Sequence, residues 1–428
     1  MDSKNLSRIP RRYKHTQTKV SAVDMVEKIR IRGSFLGEFD PSSSNRISWY
    51  LPNPKDRFLD GSSIELRGQV LVDTTSAGGD TYAQIMPSIG GTYTGMNLVI
   101  ERQQLYIGST LMEESLNQRL LSSMNIGLKT NSIWRLTQEP YENAGKFVAG
   151  QTAAEWRDFR VRLSFRNSEL FGSTSEELVS QDFLIPVGWI PRMQLDLFFA
   201  DPAQIINVDT GLTGPITPSY KLRNLELDTL YLKSAALSNQ MNTMGWSITW
   251  TAHLFQERIV PAGSVGKIST ELPSAFAQAQ MAMVIYQQPG EDTTLTLPNR
   301  TINASDELSA ITQANIRVNG LNRYQEPLDQ VDMYREVIRN HSTAEFSDFY
   351  NTDLATLTTT SNYVVMLIGR DYPSPALISG INSAQATGSI VVEVTFTNAL
   401  TSTHNARSFL SYARNLTCKP NGAVSVTF

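Results

Sequence analysis

Four histidines, His15, His253, His341 and His404, are the side chains best suited to move a proton or ligate a metal near neutral pH. They stand far apart in the chain, and none falls in an HExxH or HxH arrangement that would aim two rings at one ion. His253 lies in the run WSITWTAHLF, where a hydrogen-bonded structural histidine is the expected role. There is no GxSxG elbow to present a nucleophile and no GxGxxG or GxxxxGK[ST] loop to cradle phosphates. Gly90–Gly91 lacks a following lysine and basic helix, and reads as a turn or bulge. Glu113–Glu114 and Glu176–Glu177 are acid–base candidates by type alone. Adjacent residues of a strand or helix point in different directions, so these pairs read as solvated carboxylates. Glycoside hydrolysis needs two carboxylates that face each other. Cys418 is the single cysteine, which rules out an internal disulfide and a cysteine-built metal centre. Trp246 and Trp250 fall four apart on a strand and share a face. Such a pair stacks on sugars or bases, or fills a core, and core filling is the commoner use. No catalytic residue, cofactor or metal site is predicted.

Charge concentrates in one place. Lys4, Arg8, Arg11, Arg12, Lys14 and Lys19 face one acid, Asp2, in a chain of net charge −4. Residues 1–24 therefore read as a basic arm that orders on meeting a negative surface. The same residues have no apolar centre, so no secretory leader is expected, and no apolar run approaches the length of a membrane span.

The elements that would position these residues are mostly strands. Candidates are Ile64–Val72, Leu98–Ile100, Phe159–Phe165, Met193–Phe199, Leu225–Leu232, Trp246–Phe255, Met281–Tyr286, Tyr363–Ile368, Ser389–Phe396 and Ala423–Phe428. β-branched and aromatic residues fill these runs, while Gly, Pro, Asn and Ser fill the gaps. Helical spacing is confined to Met112–Met124 and Gln330–Asn340, and Val20–Ile31 fits a helix or a strand equally. Many strands and few helices predict an all-β fold of sandwiches or barrels. A chain of 428 residues exceeds one ordinary core. The Gly/Pro/Thr-rich Asp209–Ser219 reads as a linker between two β-sandwiches, 25–210 and 211–428. Met96–Gln103 resembles Met281–Gln288, which suggests a duplicated unit.

In order and spacing the chain resembles the double-jelly-roll major capsid proteins of tailless membrane-containing phages, adenoviruses, virophages and related elements. Ile47–Val72 is similar to that family's opening strand, proline-bearing turn and extended strand. Ile85–Met124 is similar to a core strand followed by a helix, and Tyr220–Leu232 to the strand that opens the second jelly roll. Ala314–Asn340 is similar to a strand, an Asn319–Gly320 turn, the stop Pro327 and a helix bearing Tyr334. The resemblance implies two jelly-roll β-sandwiches side by side, with a few short helices in loops. It implies a pseudo-hexameric homotrimer that tiles an icosahedral virus shell, located in the virion and assembled inside the host cell. The implied partners are neighbouring capsomers and penton or minor capsid proteins. Through Arg8, Arg11, Arg12 and Lys14 the arm would face the interior and meet the genome or an internal membrane. The alternative function is a carbohydrate-binding or carbohydrate-cleaving β-sandwich, suggested by the tryptophans and the many Thr and Asn residues. A secreted adhesin is disfavoured by the single cysteine and the missing leader.

Overall fold

The alternation that marks a half-buried strand is clearest in Met193–Phe199, where Met193, Leu195, Leu197 and Phe199 are buried. Ile390–Phe396 repeats it with buried Ile390, Val392, Val394 and Phe396. Side chains of period two can meet only across a sandwich, so each such strand needs a facing sheet. The computed structural model describes residues 24–76, 83–86, 95–122, 141, 143–145, 155–163, 184–208, 216–273, 276, 279–290, 311–329, 331–333, 363–367, 383, 389–396 and 398–427.

One sheet runs in the order β1 (Met25–Arg32), β11 (Ile216–Lys233), β3 (Phe58–Ser76), β7 (Arg157–Arg162), with β8 (Leu184–Ile185) also on β3. A second runs β2 (Arg46–Leu51), β9 (Met193–Phe199), β5 (Ile100–Ile107), β6 (Thr110–Ser115). The short strands β4 (Ala83–Ile85) and β10 (Ile206–Val208) pair separately. A third sheet runs β12 (Trp246–Val260), β20 (His404–Cys418), β14 (Ala279–Gln287), β18 (Tyr363–Leu367), and β21 (Val424–Thr427) joins β20. The fourth runs β13 (Gly266–Leu272), β19 (Ile390–Phe396), β15 (Ile311–Val318), β16 (Leu321–Asn322), and β17 (Leu328–Asp329) also pairs with β15.

Both halves wind the same way. In each, the first and last main strands pair, followed by the third and sixth, while the second, seventh, fourth and fifth make the facing sheet. That is the jelly-roll winding. One apolar core fills the first roll and continues onto one end of β12 and β20, and another fills the second roll. Asn319 and Gly320, at φ 52° and 81°, close β15 onto β16 with Val318 opposite Leu321. This is the tight hairpin that an Asn-Gly pair favours, because both central residues need positive φ.

Five expectations change. The strand Tyr220–Leu232 belongs to β11, which pairs along its length with β1 and β3 of the first roll. It therefore closes that roll instead of opening the next, and β1, not Ile47, is the opening strand. Ile216–Ser219, expected within a linker, already pairs with Asp73–Ser76, and the chain passes from the first roll to the second through the helix Ala235–Met244. Leu98 and Val99 form a 3₁₀ turn ahead of β5, so Met96–Gln103 and Met281–Gln288 are not equivalent. The duplication lies in the winding instead. Met112–Ser115 is strand, and the helical turn begins only at residue 118. Val20–Ile31 resolves as the strand β1 from Met25 onward.

Candidate functional site: the seam and the open strand edges

The helix Ala235–Met244 is capped by Ser234, whose Oγ accepts from the Leu237 N–H at 3.2 Å, and it buries Leu237 and Met241. Gly245 ends it at φ +80°, where a Cβ would lie 2.6 Å from the Cys418 carbonyl oxygen. This turn delivers Trp246, Ile248 and Trp250 to one face of β12, opposite Cys418, Leu416 and Arg414 of β20. The apolar members of that face join the core of the first roll. Phe58 packs at a tilt against both Trp189 (5.1 Å) and Trp246 (5.2 Å), and the Trp189 indole donates to Asn242 Oδ1 at 2.8 Å. Burying a large aromatic side chain contributes on the order of 2–3 kcal/mol, so this seam couples the rolls firmly. Trp246 and Trp250 are thus core residues of the seam, not an open stacking platform.

The seam also holds a carboxyl. The register of β6 on β5 shifts so that Leu105 faces Glu113 while Tyr106 faces Leu111, leaving Met112 as an extra residue. Such a bulge re-aims side chains, and here both Met112 and Glu113 are buried. Glu113 meets Trp250 and Arg414, and burial, which outweighs the attraction of Arg414, pushes its carboxyl up to about 8. Glu114 lies on the other face with Arg102, and its Oε1 accepts from Gln104 Nε2 at 3.0 Å. The two acids do point apart, but Glu113 is sealed, contrary to the expectation of two solvated carboxylates.

The outer sheet faces of the first roll are satisfied by their own charges. Asp228, with its side chain 3% exposed, receives Lys28 (2.9 Å), Arg30 (3.0 Å) and Arg67 (2.9 Å). Burial would raise its carboxyl, yet these donors together hold it below the usual carboxylate range. On the facing sheet Asp196 accepts from Arg46 at 2.6 Å and from Gln194 at 2.9 Å, while Arg46 and Arg102 both lie over the Phe198 ring. The His253 Nδ1 is 2.8 Å from Ser411 Oγ, a serine–histidine pair by type, but both residues are buried. The structural role expected of His253 fits that geometry. His404 Nδ1 lies 2.8 Å from the Ser402 carbonyl oxygen. Among the described residues no three metal-ligating side chains converge. His15, His341, Glu176–Glu177, Gly90–Gly91 and the arm with Arg8, Arg11, Arg12 and Lys14 lie outside the described residues.

Large apolar side chains are exposed on open edges. The seam sets the fifth strand of the first roll, β6, beside the first strand of the second, β12. The reverse pairing of positions, β16 with β1, is not among the main element contacts of the described residues. There Leu321 is 75% exposed on β16, and Met25 and Val26 are exposed on β1. Sequence reading did not single out Phe58, Trp189 or Arg414. Their signal is tertiary, because only the crossing of the two rolls brings them together.

No protein-family model matches the chain. No curated protein matches it by sequence. Solved structures do match by shape. A chain of the PBCV-1 virus capsid aligns with TM-score 0.59 and 11% identity, over 94% of this chain and 96% of that one. A chain from the Sputnik virophage, solved by cryo-EM, aligns with TM-score 0.61 and 10% identity, over 98% and 92%. The Faustovirus major capsid protein aligns with TM-score 0.57 and 9% identity, over 97% and 94%. At these identities the likeness carries the fold. The chain is a double jelly roll, with the architecture of these viral capsid proteins over nearly its whole length.

Proposed function

We propose that this chain is a major capsid protein that builds a virus shell as homotrimeric capsomers, and that it catalyses no reaction. The observation that carries the reading is the end-to-end match of both jelly rolls to chains of virus capsids, one of them the Faustovirus major capsid protein. A rigid sandwich pair with variable loops suits a tile, since loops can change without disturbing the core. The edges support the assembly. The contact between β6 and β12 inside one chain has a reverse counterpart, β16 and β1, on which Leu321, Met25 and Val26 are exposed among the described residues. A second copy set head to tail would cover Leu321 with Met25 and Val26, and such contacts close into a ring when the rotation allows. The carbohydrate alternative loses one of its two motivating features, because Trp246 and Trp250 are buried.

The arm, residues 1–24, leads into β1 beside the connecting helix, where Asp24 Oδ2 accepts from the Ala235 N–H at 2.8 Å. In this reading it faces the shell interior. Arg8, Arg11, Arg12 and Lys14 there meet genome phosphates or anionic lipid headgroups of an internal membrane. Neighbouring capsomers and penton or minor capsid proteins complete the partners, and the virion is the location.

Electron microscopy and light scattering of the purified protein test the function. Trimers, and shells under assembly conditions, are expected. A stable monomer that cleaves or binds a glycan would overturn the proposal. Replacing Arg8, Arg11, Arg12 and Lys14 with serine is expected to leave trimers intact and reduce particle yield, as raised salt should. Undiminished yield would make the arm a bystander.

A further inference from the structure

We propose that the segment 334–362 crosses the outer face of the third sheet and is the cover which that face requires. The inference concerns one chain and holds whether or not the chain builds capsomers.

Strand parity defines the face. Ala282, Val284 and Tyr286 of β14, with Ala406 and Leu410 of β20, belong to the core of the second roll. Farther along the same side of β20, Tyr412, Leu416 and Cys418 join the core shared with the first roll. Met281, Met283, Ile285 and Phe409 alternate with these residues and so point away from both cores. Met283 stands opposite Phe409, and Phe409 opposite Phe255, whose ring lies 5.2 Å away. The corresponding sheet of the first roll carries Arg30, Asp228 and Arg67 on its outer face. This one is apolar, yet Met283, Ile285 and Phe409 are 0% exposed, although they belong to neither core cluster. Such burial inside a single chain calls for a further layer from the same chain.

The segment 334–362 lies outside the described residues, and its sequence fits that layer. It leads directly into β18, the edge strand of this same sheet. Ser342 and Glu345 have the spacing of a capping box, after which Phe346, Phe349, Tyr350, Leu354 and Leu357 recur three or four apart. The pattern predicts an amphipathic helix over 343–357, with Asp348, Asn351 and Thr352 on its polar side. A helix of that length spans about 22 Å, enough to cross four strands set about 5 Å apart. Asp353 falls within the apolar stripe, and the sheet face offers it a cation, Arg407, beside Ile285. The stretch that follows β18 carries Pro373, Pro375 and Gly380 and has no comparable stripe.

Met281 and Met283 are native reporters, because peroxide must reach a thioether to oxidise it. Exposed Met244 is the reference in the same molecule. In the wild-type full chain both are expected to oxidise about tenfold or more slower than Met244, at a rate independent of protein concentration. The double variant Phe346→Ser, Phe349→Ser is expected to bring them close to the rate of Met244, whereas Asp348→Ser leaves them protected. Reactive Met281 and Met283 in wild type would overturn the proposal, as would continued protection in the folded double variant. Protection that appears only at high concentration would also overturn it, assigning the cover to a second copy. Should the double variant fail to fold, hydrogen exchange of wild type decides. Protected amides over 343–357 are expected, and amides that exchange at the unfolded rate would sink the cover.

Discussion

Two buried acids of the first roll titrate in opposite senses, and the difference lies in their neighbours. Asp228 gathers three cation contacts and is held low. A carboxyl depressed in the folded state contributes stability above its unfolded pKa and loses it as pH falls through the folded pKa. Asp228→Asn is expected to lower stability at neutral pH by about 1–3 kcal/mol, a range that allows for the half-exposed Lys28 and Arg30. Urea unfolding at several pH values checks this, with the gap to wild type closing as pH falls below the usual carboxylate range. Glu113 has the reverse sign. Its folded pKa lies above the unfolded value, so its cost grows from about pH 4.5 and is complete above about 8. Glu113→Gln should therefore stabilise the protein in mildly alkaline buffer, with the gain fading toward about pH 4.5 in the same titration series.

At the level of elements, the turn that joins the rolls has least room. Gly245→Ala would set a methyl 2.6 Å from the Cys418 carbonyl in a left-handed conformation, and is expected to cost more than about 2 kcal/mol. Ser234→Ala, which removes only the cap, is expected to cost about 1 kcal/mol. Thermal unfolding should rank them in that order. The same region shows what was legible in sequence. Met193–Phe199 was found residue for residue, because one face is wholly apolar while the other carries Gln194 and Asp196. Ile64–Val72, Trp246–Phe255 and Met281–Tyr286 likewise sit within β3, β12 and β14, and Ser389–Phe396 overruns β19 by one residue. His404–Cys418 was passed over, although it is a fifteen-residue central strand. It is buried along most of both faces, and Ser408 and Ser411 are satisfied by Gln256 and His253, so no alternation survives. The Gly/Pro signal at Asp209–Ser219 is one of composition, and of that stretch only Ile216–Ser219 lies within the described residues, as strand. It cannot say which sheet the next strand joins, because pairing of the last strand with the first is a long-range choice.

Across the whole molecule, the sheets of the first roll put charge on their outer faces, and exposed apolar surface lies chiefly at strand edges and turns. If the proposed capsomer uses this edge, Leu321→Glu is expected to keep the monomer fold, since Leu321 is exposed, and to shift light scattering from trimer toward monomer. An unchanged trimer would place the protomer contact elsewhere. The pairing of first strand with last has another consequence. Each half finishes its own winding before the chain moves on, so the helix Ala235–Met244 is a tether and supplies no strand to either sheet. Severing the backbone within that helix should yield two polypeptides that each complete a roll and remain associated through Phe58, Trp189 and Trp246. Produced as separate genes, the pieces should find each other in trans, and the protein could be handled as a split pair whose reunion reports on the strength of the join.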